Sequence, residues 1–136
     1  MSRSLLFIPG HRENMLSKAG KSQTDTIIFD LEDSVPMAEK NNGRATLVKF
    51  LREFDAVDKE VIIRVNEDKT IMSSDIEATL TTRKVDGFMI PKATVESVCW
   101  VDSMLECMDA ENIFLVPMVE SPLGLINTYK IASCSK

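Results

Sequence analysis

The chain has 136 residues, 44% of them hydrophobic and 27% charged, which is the size and composition of one ordinary globular domain. Sixteen basic against 21 acidic residues leave a net charge of −5, which excludes the broad basic face that nucleic-acid binding requires. No stretch approaches the ~18 apolar residues of a membrane span, and Leu5–Ile8 is too short for the core of a secretory signal, so a cytoplasmic protein without membrane contact is expected.

In chain order, short apolar runs alternate with longer amphipathic ones. Ser4–Ile8 reads as the first strand, stopped by Pro9-Gly10, with a short helix over Arg12–Ala19. Asp25–Phe29 reads as the second, followed by the acidic stretch Asp30-Leu31-Glu32-Asp33. Pro36 suits the first turn of the next helix, on which Ala45, Val48, Phe50, Leu51 and Phe54 fall at helical spacing. Val61–Val65 is the third strand, and a polar loop over 66–73 then leads to a helix capped by Ser74 or Asp75 and running to Leu80. Asp86–Ile90 is the fourth strand, closed by Pro91-Lys92. Thr94 and Ser97 open a helix running to Met108. Ile113–Met118 is the fifth strand, and Pro122 and Gly124 lead to a last helix over Leu125–Ala132.

The strands are apolar almost throughout rather than alternating, as expected of a parallel sheet covered on both faces. One βα unit per ~20–35 residues permits a doubly wound open sheet or part of an eight-stranded βα barrel. Neither glycine-rich nucleotide fingerprint is present. Cys99, Cys107 and Cys134 are odd in number and lack metal-ligand spacing, as expected of packing thiols in a reducing compartment.

Polar residues gather just after the strands, the edge where both architectures place their sites. They are His11 and Arg12, then Asp30, Glu32 and Asp33, then Arg64 with Asn66, then Lys92, then Glu120. Each has an ordinary structural explanation. The acids suit helix starts, Lys92 a solvated surface, and a lone histidine is weak support for a site. Arg64 lies inside an apolar strand, so its guanidinium must be paired, as a structural ion pair or a ligand clamp. Together, carboxylates from two strand ends with an arginine between them suit a divalent cation and an anionic, oxygen-rich ligand.

Five motifs occur in order: Arg3-Ser4-Leu5-Leu6-Phe7-Ile8-Pro9-Gly10, Phe29-Asp30-Leu31-Glu32-Asp33-Ser34-Val35, Arg64-Val65-Asn66, Pro91-Lys92, and Val119-Glu120-Ser121-Pro122-Leu123-Gly124. Together, from Arg3 to about Ala132, they resemble the citrate lyase β-subunit family, with its malyl-, β-methylmalyl- and citramalyl-CoA lyases. The resemblance implies an α/β fold of the (β/α)8 barrel type, with residues 1–136 as a partial barrel of about five βα units. It implies Mg²⁺-dependent cleavage of a citryl- or malyl-type acyl thioester to an acetyl-type thioester and an oxo acid. Glu120 would bind the metal. Arg64 would contact the substrate carboxylate or oxo group, and Glu32 and Asp33 would line the metal and its waters. Arg3, Lys18 and Lys92 would bind substrate or thioester carrier, Arg3 and Lys18 near the carrier's phosphates. The implied partners are an acyl-CoA or acyl-carrier-protein thioester, further copies of the chain and other lyase subunits. In the family a sixth strand follows with a second metal carboxylate, whereas this sequence stops at Ser133-Cys134-Ser135-Lys136. Weak metal affinity and self-association through open strand edges are therefore expected, and a non-catalytic subunit-association role is the alternative.

Overall fold

The computed structural model describes residues 2–135, so Met1 and Lys136 of the expected domain lie outside the described residues. Five strands, β1 (Leu5–Pro9), β2 (Thr26–Asp30), β3 (Glu60–Arg64), β4 (Gly87–Ile90) and β5 (Phe114–Pro117), form one sheet in the order β1-β2-β3-β4-β5. Every neighbouring pair is parallel. This order decides between the two architectures. A doubly wound sheet reverses direction partway and puts helices on both faces. Here each strand is added beside its predecessor in one direction, and right-handed crossovers then carry all the helices to one face. That progression is the winding of a βα barrel.

The two faces of the sheet are correspondingly different. Successive strand side chains alternate between them. Ile27, Phe29, Val61, Ile63, Phe88 and Ile90 face the helices and are almost wholly buried. They meet Leu47 and Leu51 of α2 (Lys40–Glu53), Met72 and Ile76 of α3 (Lys69–Leu80), and Val98, Val101 and Leu105 of α4 (Val95–Cys107). Phe29 also packs edge-on against Phe50 and Phe54, with ring centroids 5.7 and 5.8 Å apart. The opposite face holds a smaller cluster of Ile28, Ile62 and Met89 with Val116 and Met118. That is the face a barrel turns inward.

Helix boundaries depart from expectation where capping side chains override the apolar pattern. α3 starts at Lys69, not Ser74 or Asp75, because the Asp68 carboxylate accepts hydrogen bonds from Thr70 N and Ile71 N at 2.9 and 3.1 Å. The cap draws a polar first turn into the helix, and Asp75 becomes an interior residue. The first helix is shorter than expected: α1 covers Glu13–Leu16, and a 3-10 turn follows over Ala19–Lys21. Pro36 precedes a 3-10 turn, Met37–Glu39, rather than α2 itself. The fully buried line of α2 is Gly43, Leu47 and Leu51, with Ala45 left exposed. Thr94 and Ser97, expected to open α4, do so as a reciprocal cap, at 3.1 and 2.9 Å. Ser121 caps Gly124 N at 3.0 Å and starts α5 (Pro122–Ile126) earlier than expected, and a break at Asn127 separates it from α6 (Thr128–Ala132). Among the described residues no helix is long and apolar enough to cross a membrane.

Candidate active site

The parallel register sets Asp30 beside Arg64, each the last residue of its strand. Both share the pleat of Ile28 and Ile62, so their side chains emerge on the inward face. Arg64 grips Asp30 with both prongs of its fork, Nε to Oδ1 at 2.8 Å and Nη2 to Oδ2 at 2.7 Å. The pair is well buried, with side chains 12% and 4% exposed. Asp30 also accepts from the backbone N–H groups of Glu32 and Ser34, at 2.9 and 3.1 Å, so the turn after β2 wraps around one carboxylate. Burial alone would push the Asp30 carboxyl up. The hydrogen bonds from Arg64, Ser34 and the Glu32 amide outweigh it and hold the group below its ordinary value. Beneath Arg64 lies the Phe7 ring, with the guanidinium carbon 5.2 Å from its centroid.

The remaining prong of Arg64, Nη1, faces Glu32 Oε2 at 3.3 Å and Asp33 Oδ2 at 3.7 Å. Glu32 is 7% exposed, yet its Oε2 has no hydrogen-bond partner. Burial, reinforced by the charge of Asp33, raises its carboxyl above the ordinary value, and Arg64 and Lys92 only partly offset this. The two acids open onto a cavity of about 700 Å³ that also meets Lys40, Asn66, Glu67 and Ile71. Lys40 ties the turn down from α2: its Nζ donates to the carbonyls of Leu31 and Glu32 at 2.8 and 2.5 Å. Burial lowers the Lys40 amine, against the raising effect of Asp75, Asp30, Glu32 and Asp33. From the far side, Lys92 Nζ pairs with Glu67 at 2.5 Å, and this partner raises its amine. Lys92 has a left-handed backbone, φ 43°, a conformation unfavourable for a residue with a Cβ. Its N–H donates to Glu120 Oε1 at 2.8 Å, so Glu120, past β5, is held by the turn after β4.

Residues 3–136 match the family model described as HpcH/HpaI aldolase/citrate lyase. The chain belongs to the HpcH/HpaI aldolase/citrate lyase family. It is 32% identical over 145 residues to citrate lyase subunit beta of Leuconostoc mesenteroides subsp. cremoris, covering 99% of this chain and 47% of that protein. It is 37% identical over 131 residues to a (3S)-malyl-CoA thioesterase of Cereibacter sphaeroides, covering 96% of this chain and 45% of that protein. The crystal structure of CitE from Mycobacterium tuberculosis in complex with magnesium, acetoacetate and coenzyme A superimposes with a TM-score of 0.75 at 26% identity, covering 96% of this chain and 44% of that one. The chain thus spans about half the length of the relatives it matches.

For a member of this family, the expected site residues divide into those brought together and those kept apart. Arg64, Glu32 and Asp33 form one cluster, and Asp30 is its centre. Glu120 is joined to the backbone N–H of Lys92, and the Lys92 side chain pairs with Glu67, which lines the cluster's cavity; Lys92 and Glu120 themselves do not line it. Arg3 stands at the amino ends of the strands, apart from the cluster, 86% exposed and paired with Asp25 at 2.8 Å. Lys18 lies exposed in the turn between α1 and the 3-10 turn and does not line the cluster's cavity. His11 keeps a buried Nδ1 without a hydrogen-bond partner, and its Nε2 accepts from Arg12 at 3.4 Å. Sequence reasoning missed Lys40, Arg44 and Asp75. Asp75 had a signal: with the helix begun at Lys69, it joins Met72, Ile76 and Thr79 on the buried stripe, an acid where an apolar residue belongs.

Proposed function

We propose that this chain carries the first half of the active site of a Mg²⁺-dependent carbon–carbon lyase. The substrate would be a citryl- or malyl-type acyl thioester, on coenzyme A or an acyl carrier protein, cleaved to an acetyl-type thioester and an oxo acid. One observation carries the reading. Arg64 is clamped by Asp30 so that its third nitrogen forms an ion pair at 3.3 Å with the buried Glu32 Oε2, beside a cavity that Glu32 and Asp33 line.

Magnesium fits these residues by the chemistry of the donors. Mg²⁺ takes few protein carboxylates and keeps waters or substrate oxygens in its remaining positions. Among the described residues no group of three or more His, Cys, Asp or Glu side chains is arranged to hold an ion, so a fully protein-built cage is not what the chain offers. Glu120 is the carboxylate proposed to hold the ion, with Glu32 and Asp33 accepting from waters around it. Bound there, the ion would supply positive charge to the substrate's hydroxyl and carboxylate oxygens and ease loss of the hydroxyl proton. Arg64 presents fixed charge where oxygen charge grows as the carbon–carbon bond breaks. Asp30 keeps that guanidinium in one orientation. Lys92 contributes a second cation beside Glu32 and Asp33. Further copies of the chain, or other lyase subunits, are the proposed protein partners.

Thioester hydrolysis is a second reading, favoured by the 37% identity to a (3S)-malyl-CoA thioesterase. Incubating the protein with malyl-CoA or citryl-CoA, with Mg²⁺ and with a chelator, separates the two. Lyase activity yields an oxo acid and acetyl-CoA only with Mg²⁺. Hydrolysis yields the free hydroxy acid and coenzyme A. Neither product, with or without the metal, would favour a non-catalytic, subunit-associating role.

A further inference from the structure

We propose that Asp75 is a positioning residue for this site, acting through Asn66 to fix the turn that carries Glu32. Its relevance to catalysis rests on the lyase reading, whereas the relay rests on contacts within the fold. Asp75 is 1% exposed on α3 and touches none of the cavity's acids. Its Oδ1 accepts from Arg44 Nε of α2 at 2.7 Å. Its Oδ2 goes wholly to Asn66, accepting from the backbone N at 3.1 Å and from Nδ2 at 2.7 Å. The Asn66 amide spends its other proton on the Leu31 carbonyl at 2.9 Å. Leu31 is thereby held at both backbone groups from the β3 side, since its own N–H donates to the Arg64 carbonyl at 3.0 Å. On one side of Leu31 is Asp30, which orients Arg64. On the other is Glu32, which lines the cavity.

An ion pair serving only to join α2 to α3 would need Arg44 and Asp75 alone. Here half of the carboxylate is committed to Asn66, and Asn66 in turn to the turn after β2. The residue type fits this role: only a carboxylate accepts from all three donors without presenting a donor of its own. In Asp75→Asn, the new NH2 must face either Arg44 or Asn66, and one link is lost. Lys40 still holds the same carbonyl, so the turn should loosen rather than unfold.

The experiment uses the full 136-residue chain, ¹⁵N-labelled, with amide exchange followed in wild type, Asp75→Asn and Asn66→Ala. Both variants should accelerate exchange at Glu32 and Ser34 by about tenfold or more while Phe88 and Ile90 of β4 keep their protection. Unchanged exchange at Glu32 and Ser34, or an equal rise in β4, overturns the proposal, the latter because it marks a merely structural role. Should Asp75→Asn not fold, Asn66→Ala, which spares the Arg44 pair, decides alone. Manganese then probes the link to the site by its electron-spin resonance. Mn²⁺ affinity should fall about tenfold in each single variant, and in the double variant no further than in Asn66→Ala. Additive losses overturn action through Asn66. A wild-type chain that binds no Mn²⁺ counts against the magnesium reading, and amide exchange still decides the relay.

Discussion

At the amino ends of the strands Arg3 grips Asp25, and at the carboxyl ends Arg64 grips Asp30. The chemistry is the same and the distances match, 2.8 and 2.7 Å between the closest charged atoms. Asp25 and Asp30 bracket β2, so the pairs stand roughly 16 Å apart along one strand. Their surroundings differ. Arg3 is 86% exposed, and Asp25 is satisfied by the backbone amides of Arg3 and Ser4, which lead into β1. Other acids at that end are spoken for in the same way: Asp86 accepts from Val61 N, and Glu60 from Ser2 and Thr26. At the carboxyl end the pair is buried, and the next acid, Glu32, retains an oxygen that accepts no hydrogen bond and meets the Arg64 guanidinium at 3.3 Å. Carboxylates at the amino end finish the sheet, whereas Glu32 at the carboxyl end keeps an oxygen that accepts no hydrogen bond, in a residue that lines a cavity. An ion pair therefore says little by itself; what its neighbours leave unsatisfied separates a structural edge from a candidate site.

The largest expected effect comes from removing Arg64. Arg64→Ala leaves Asp30 and Glu32 as uncompensated buried acids and should destabilise the protein by about 3–5 kcal/mol, measured by urea denaturation. In a catalytically competent protein, turnover should also fall about 10²–10³-fold. The pH dependence sharpens the test. The Asp30 carboxyl is held below its ordinary value, so its contribution is complete above about pH 4 and is lost as pH falls through its folded value. Arg64→Ala should erase that acid-side loss. A variant as stable as wild type at pH 7 would place the two pairs on an equal footing and end the comparison.

Glu32→Gln should act in the opposite direction. A carboxyl raised above its ordinary value favours the folded state at low pH and costs stability as pH rises through the interval between its unfolded and folded values. Removing the charge should leave stability near pH 4 unchanged and increase it by about 0.5–2 kcal/mol at pH 7, the usual range for relieving a strained functional position. Thermal melts across that pH range check it. A Glu32→Gln protein less stable than wild type at pH 7 would mean that the contact with Arg64, not burial, governs Glu32.

Much of this contrast was legible in the sequence. The five apolar runs gave the strands to within one or two residues, because a parallel strand has to be apolar on both faces. The clustering of polar residues after each strand located the edge, and the ordered motifs supplied the barrel that pattern alone left open. The sequence did not show that Arg3, next to an apolar strand just as Arg64 is within one, would stand at the opposite ends of the strands from Arg64. That depends on which strand terminus a residue occupies. Nor did it show that Asp68 would cap α3, which hid Asp75 and with it the relay through Asn66. Caps are one or two local hydrogen bonds between side chain and backbone, with no period to read.

Lys92 gives a smaller test, made on the backbone. Its left-handed φ of 43° is easy for glycine and strained for any other residue. Lys92→Gly should therefore melt about 2–5 °C above Lys92→Ala, since both lose the ion pair with Glu67 and only glycine relieves the strain. Equal melting temperatures would show that the turn after β4 relaxes to another conformation and that its hold on Glu120 through Lys92 N is weak.

The smallest expected effect belongs to the opposite pair. Hydrogen bonds from Arg3 are the main cause holding the Asp25 carboxyl well below its ordinary range, yet the arginine lies in water, where an ion pair is screened and its side-chain ordering cost offsets its attraction. Asp25 would keep the Arg3 and Ser4 amides after Arg3→Ala, so the start of β1 retains its ties to β2. Arg3→Ala should melt within error of wild type at moderate salt, and any difference at low salt should vanish as salt is raised. It should also leave Mn²⁺ affinity untouched, whereas Arg64→Ala should not. A loss of metal or thioester binding in Arg3→Ala would mean that the ligand spans the whole depth of the sheet, and the amino ends of the strands would then join the site.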